Sequence, residues 1–201
     1  MNFSIYQLKS RFQRLLQPLL RHVAAAGISP NQLTLGTAAF MLAYGACLAW
    51  QPQSRALWAG LPAVLLARMA LNALDGMLAK STGHTTRLGA LLNEVCDQAS
   101  DAALYLPFAL AAGVHGGLAV AVVTLAGLTE FAGLAAVAVG SARRFDGPMG
   151  KSDRAFAFGL LALMWAGGAS PAWLNGLLIA VGVLSLWTLR NRVQGALRPA
   201  A

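Results

Sequence analysis

Two short stretches set acid and amide side chains among apolar residues. Asn72, Asp75, Gly76, Ala79 and Lys80 occupy the first; Gly89, Asn93, Glu94, Asp97 and Asp101 occupy the second. On helices, Asn72 and Asp75 share a face, and Asn93, Asp97 and Asp101 are successive i,i+4 neighbours. Several oxygen donors with no His or Cys cluster beside them suit a hard divalent cation, Mg²⁺ or Mn²⁺. Such an ion binds a diphosphate and stabilises the charge that develops in phosphoryl transfer. The competing explanation is hydrogen-bonding glue between helices. That would account for one lone Asp, but ionisable groups at this depth are costly, and a whole constellation of them points to a site. Gly76 and Gly89 mark places of close backbone approach, because glycine inside a helix costs about 1 kcal/mol relative to Ala.

The elements that must carry these residues are membrane-spanning helices. The chain is 57% apolar and 11% charged, whereas soluble domains carry roughly a quarter charged residues. This predicts an all-α integral membrane protein. Six apolar runs, at about 32–50, 55–80, 87–112, 117–140, 153–168 and 171–190, are each near the length of a spanning helix. Before them, residues 2–26 alternate Ile5, Leu8, Phe12, Leu15, Leu16, Leu19 and Val23 with basic residues. That pattern predicts an amphipathic helix in the membrane interface, with a cytosolic helix packed on the bundle as the competing reading. The whole chain, 1–201, is expected to form one domain, with 1–26 as the interfacial helix and 32–190 as the six-helix bundle. Lys9, Arg11, Arg14 and Arg21 interrupt the N-terminal segment, so it does not resemble a signal peptide. Cys47 and Cys96 lie in apolar runs and are expected to be free.

The net charge of +8 is distributed as a topology signal, which argues against nucleic acid as a partner. Basic residues gather before the first run, at Lys80 and Arg87, around 143–154 and after the last run. By the positive-inside rule both termini and the segments 81–86 and 141–152 are cytoplasmic. The expected location is a bacterial inner membrane. Asn72 then lies about 12 Å inward from Lys80, and Asp97 about 15 Å inward from Arg87, at 1.5 Å per residue. Two antiparallel helices so arranged bring their oxygens together in a cavity open to the cytosol.

The spacing closely resembles the signature of the CDP-alcohol phosphotransferase family, D-x2-D-G-x2-A-R-x8-G-x3-D-x3-D. Asn72 and Asn93 stand where that pattern has Asp, and Lys80 where it has Arg. A second stretch, Ser29-Pro30-Asn31-Gln32-Leu33-Thr34, is similar to the family's P-N-x-L-T segment and also reads locally as a helix cap. The resemblance implies a six-span fold with an N-terminal interfacial helix, a homodimer, and transfer of a substituted phosphoryl group from a CDP-linked donor to an alcohol. It implies Asn72, Asp75, Asn93 and Asp97 as ligands of one or two Mg²⁺ or Mn²⁺ ions, with Asp97 also the general base. It further implies a nucleotide pocket of Asn31, Thr34, Gly76, Ala79, Lys80 and Gly89. Asn oxygens still ligate Mg²⁺, but two negative charges are gone. Asp101 and Glu94 are the acids placed to compensate, Asp101 directly or from behind the ligands. Lysine at position 80 keeps a cation but loses the bidentate fork.

The loop before the fifth run adds Arg143, Arg144, Lys151 and Arg154 at the cytoplasmic mouth. Gly150-Lys151-Ser152 precedes a helix start, which suits an anion. These four residues are the expected contacts of a phosphate on the acceptor, with Lys151 and Arg154 foremost and simple positive-inside charge as the alternative. The favoured reaction moves a phosphatidyl group from CDP-diacylglycerol to a small phosphorylated polyol such as glycerol 3-phosphate, with membrane lipids as surroundings. The alternatives are a CDP-choline or CDP-ethanolamine type transferase with a lipid acceptor, or a non-catalytic cation- or nucleotide-binding protein. Glu130 is expected either to pair with Arg68 or to meet substrate. His84 and His115 read as solvated, and Trp50, Trp58 and Trp173 as interfacial anchors.

Overall fold

The computed structural model describes residues 5–83 and 85–198, with side chains from residue 14 onward. The expectations on Ile5, Leu8, Lys9, Arg11, Phe12 and His84 fall outside the described side chains. Seven α-helices follow in order: α1 Ile5–Ala25, α2 Pro30–Trp50, α3 Arg55–Ser81, α4 Arg87–Tyr105, α5 Gly116–Ala135, α6 Lys151–Ala166 and α7 Pro171–Ala196. Short 3-10 turns, Leu106–Leu110 and Ala136–Val139, extend α4 and α5. There is no strand among the described residues.

Local chemistry sets the helix starts. The Ser29 side chain accepts from the Gln32 N–H at 3.2 Å, and Gln32 Oε1 accepts from the Ser29 N–H at 2.9 Å. This reciprocal cap, with Pro30 at the first helical position, opens α2. Thr86 caps α4 by accepting from the Gly89 N–H at 2.9 Å. The run expected over 87–112 stops being α-helical at Tyr105, because Pro107 cannot donate to the ladder and the chain tightens. In contrast, α7 continues to Ala196, past the expected end at 190.

Among the described residues, four helices are long and apolar enough to cross a membrane: Pro30–Trp50, Arg55–Ser81, Gly116–Val139 and Pro171–Ala196. The other two runs differ for physical reasons. Helix α4 carries Arg87, Glu94, Asp97 and Asp101, and α6 has only 16 residues. Leu66, Val95, Phe131, Ile179, Val183 and Leu186 are exposed around the bundle, as an integral membrane protein requires.

Helix α2 packs on α3 and α4, α3 on α6, and α5 on α7. Contact between α2 and α4 depends on Gly45, since a Cβ there would strike the Ala103 carbonyl. The main core gathers Met41, Leu48, Trp58, Leu61, Leu104, Tyr105, Phe108 and Phe158. Tyr105 stacks on Phe158 with ring centroids 4.0 Å apart. Trp58 is fully buried there and donates to the Pro52 carbonyl at 2.8 Å, so it is no interfacial anchor. Trp50 and Trp173 are exposed. A smaller cluster packs Leu16 and Leu20 of α1 against Leu74 and Leu78 of α3. That contact holds α1 beside the segment carrying Asp75.

Candidate functional site

The C-terminal half of α3, the start of α2 and the first turns of α4 enclose a cavity of about 300 Å³. Asn72, Asp75 and Asn93 line it, as do Asn31, Thr34, Gly76, Ala79, Lys80 and Gly89. Thr85, Thr86 and Ala90 complete the wall near the α3–α4 turn. Gly76 borders the open space, because a Cβ there would meet no heavy atom within 4 Å. At Gly89 a Cβ would come 2.9 Å from Asn31 Oδ1, so this glycine lets α4 approach the start of α2. The Thr34 hydroxyl donates to Asp75 Oδ2 at 2.8 Å, fixing the carboxylate from the neighbouring helix.

Asp97 lies behind this wall and is buried. Its Oδ1 accepts from the Asn72 amide and from Arg68 Nη2 at 3.3 Å. Its Oδ2 accepts from the Lys151 ammonium. Beyond Asp97 the buried charges alternate. Arg68 reaches Asp101; Arg154 Nη2 lies 3.4 Å from Asp101 Oδ2 and 2.9 Å from Glu130 Oε1. Arg192 Nη1 closes the series 3.3 Å from Glu130. Unpaired charges in an apolar interior are prohibitive, so each must neighbour its opposite.

This arrangement revises several sequence expectations. Arg154 is fully buried, donates to Glu130, Thr129 and the Met149 carbonyl, and so does not reach the mouth. Arg144 turns toward Asp146, at 2.7 and 2.9 Å, and packs on Gly195. Its hydrogen bonds hold the Asp146 carboxyl below the ordinary carboxylate range. Glu94 is gripped by both terminal nitrogens of Arg143 and faces a separate groove with Gln98 and Glu130. That hydrogen bond pushes the Arg143 guanidinium further up. Asp101 is held between Arg68 and Arg154, so neither acid joins Asn72, Asp75 and Asn93 at the cavity. Glu130 pairs with Arg154 and Arg192 rather than Arg68. Lys151 alone of the loop cations bonds to one of the four expected metal ligands, Asp97, and its side chain is one-third exposed.

Sequence reasoning passed over Arg68 and Arg192 as site-bearing residues. A signal for Arg68 existed: Arg68, Asn72 and Asp75 fall at i, i+4 and i+7 on one face of α3. Arg192 carried no such signal, since its partner lies on another helix. Asn72, Asp75 and Asn93 in the cavity wall, with no Cys or His beside them, carry oxygen donors that would suit a hard cation. Asp97, already accepting three donors, fits a second ion poorly.

The family model described as CDP-alcohol phosphatidyltransferase matches residues 27–191. The inner membrane protein YnbA of Escherichia coli is 42% identical over 98% of both chains. A phosphatidylinositol phosphate synthase of Mycobacteroides abscessus is 28% identical, over 92% of this chain and 85% of its own. The fold is similar to the crystal structure of Mycobacterium tuberculosis phosphatidylinositol phosphate synthase with CDP-DAG bound. That likeness has a TM-score of 0.76 at 20% identity, covering 94% of this chain and 99% of the other. The same enzyme in complex with manganese and citrate matches with a TM-score of 0.74, at 20% identity and over 92% of each chain.

Proposed function

Because this chain belongs to the CDP-alcohol phosphatidyltransferase family, whose members are metal-dependent membrane transferases, we propose that it moves a phosphatidyl group from CDP-diacylglycerol to a small phosphorylated polyol. The observation that carries this reading is the common wall: nine residues from two separated motifs face one cavity. A Mg²⁺ or Mn²⁺ ion, when bound, neutralises diphosphate charge and stabilises the charge of transfer. Asn72, Asp75 and Asn93 would hold it. Asn31, Thr34, Gly76, Ala79 and Gly89 would shape the cytidine pocket, with Lys80 beside the diphosphate.

In the reaction, the acceptor hydroxyl oxygen bonds to the phosphatidyl phosphorus as the bond to the CMP oxygen breaks. Asp97 takes the hydroxyl proton. A carboxylate has about four acceptor positions, and three are used by Arg68, Asn72 and Lys151, leaving one on Oδ2. Lys151, and Arg143 beside Glu94, are both partly exposed and would be the loop cations that meet the acceptor phosphate. Phosphatidylinositol phosphate synthases among the relatives support a phosphate-bearing acceptor of the inositol phosphate kind; glycerol 3-phosphate is the other acceptor to test. An apolar groove between α3 and α6, lined by Leu65, Leu66, Met69, Phe156 and Leu160 and ending at Ser152, would take an acyl chain. In this reading the chain is one domain with six spans and an interfacial α1, dimeric, in a bacterial inner membrane, with both termini cytoplasmic.

The test is CMP release by purified protein from CDP-diacylglycerol and Mg²⁺ or Mn²⁺ against a panel of acceptors. Metal-dependent CMP with a phosphorylated polyol is expected, and none from any acceptor would end the reading. Asp97→Asn should lower turnover by roughly 10²- to 10⁴-fold, the usual range for a general base. Undiminished turnover in that variant would remove Asp97 from the chemistry.

A further inference from the structure

We propose that Lys151 replaces a second divalent ion: the chain binds a single divalent cation, on the Asp75 side, and Lys151 supplies the other positive charge beside Asp97. The inference rests on the functional reading above and deepens it at the same site.

Three observations carry it. First, of the four motif positions expected to ligate, only Asp75 and Asp97 are charged, giving −2 in all. Two divalent ions would set +4 against that, in a site where Arg68 and Lys151 already press on Asp97. One divalent ion adds +2, half that charge, and leaves Asp97 to Arg68 and Lys151. Second, the Asn72 amide donates to Asp97 Oδ1. A carboxylate at position 72 would meet Asp97 as like against like and would require a cation between them; the amide makes that ion unnecessary. Third, the Lys151 ammonium bonds directly to Asp97 Oδ2. It is the first residue of α6, and the helix start is fixed by Asp153 accepting from the Gly150 N–H at 3.0 Å. The cation is therefore delivered by a capped helix end rather than a free loop. An ammonium has three donors, so Lys151 can hold Asp97 and still offer N–H groups to a phosphate oxygen.

The two halves of the exchange fit each other. Loss of carboxylates at 72 and 93 weakens an ion site, and the lysine fills the charge that the ion would bring. Asp75 stays outside the exchange, held by Thr34 and facing the cavity.

The experiment counts bound Mn²⁺ on the purified full-length protein by equilibrium dialysis, with electron paramagnetic resonance as a second readout. Wild type should saturate at one Mn²⁺ per chain with an uncoupled spectrum. Ions paired about 4 Å apart, as in two-metal sites, would couple their spins. Lys151→Met should open a second, weaker site, tighter on the order of tenfold than any second binding in wild type. Asn72→Asp with Asn93→Asp in the Lys151→Met background should bind two ions with a coupled spectrum. Two ions in wild type, or none, would overturn the proposal. So would a Lys151→Met protein whose count and affinity are unchanged; Lys151→Gln repeats that arm if the first variant fails to fold. CMP release separates the two readings: turnover with two bound ions defeats only the single-ion inference, whereas absent turnover in every donor–acceptor pair defeats the transferase reading.

Discussion

The two ends of the α3–α4 pair are built on opposite rules. At one end Trp58, Tyr105, Phe108 and Phe158 close on one another as buried rings. At the other, Asn72, Asp75 and Asn93 line an open cavity of about 300 Å³. Trp58 and Asp75 are seventeen residues apart on one helix, about 25 Å along it at 1.5 Å per residue. Between the ends runs the alternating series from Lys151 to Arg192. The contrast teaches a division of labour. Apolar packing at the closed end positions the helices, so the open end can keep polar groups that do not stabilise the fold by themselves. The charge series lets those groups persist in an apolar interior.

Breaking the series should have the largest effect on the fold. Arg154→Gln leaves Glu130 to Arg192 and Asp101 to Arg68 and should destabilise the protein by up to about 3–5 kcal/mol, the range for a buried partner left wholly unpaired. Thermal unfolding in detergent would register this. If Arg154 instead met substrate, the variant would keep its stability and lose only affinity for acceptor. Phe158→Ala at the closed end should cost about 3–5 kcal/mol by cavity formation. Nucleotide affinity, measured by calorimetry on the folded fraction, should stay as in wild type; a loss of affinity would mean that the two ends are coupled.

Smaller changes sharpen the open end. Thr34→Val removes the hydrogen bond to Asp75 and should weaken Mn²⁺ binding by about tenfold, with little change in unfolding temperature. Asp146→Asn tests the outer loop, where the carboxyl is held low by Arg144. A depressed carboxyl stabilises the fold above its unfolded value of about 3.9 and stops doing so as pH falls through the lower folded value. The side chain is 39% exposed, so screening limits the effect to less than about 1 kcal/mol. Wild type should show that small loss of stability at acid pH and Asp146→Asn should not.

Much of the open end was legible in the chain. Asn31, Thr34, Gly76, Ala79 and Gly89 were expected at one pocket from the family resemblance and line one cavity; helical spacing by itself joins only Asn72 to Asp75 and Asn93 to Asp97. The start of α2 was legible too, since Ser29, Pro30 and Gln32 act within one turn. Arg154 was placed at the mouth because only its position in a basic loop could be read. Its burial depends on Glu130 arriving from α5, a contact that no local pattern encodes. Trp58 was misplaced for the same reason: tryptophan near a span end suits an interface equally well until Phe108 and Trp165 close over it.

The amino-acid sequence by itself determined the class of molecule, the helical runs and the set of oxygen donors that one turn brings together. These follow from composition and from spacings of three and four residues, which act along a single helix or across one hairpin. Tertiary structure alone decided which charge meets which. Lys151 on Asp97, Arg68 on Asp101 and Arg154 on Glu130 join residues 24 to 54 positions apart. Those pairings are set by helix packing, and the need to neutralise every buried charge selects among them.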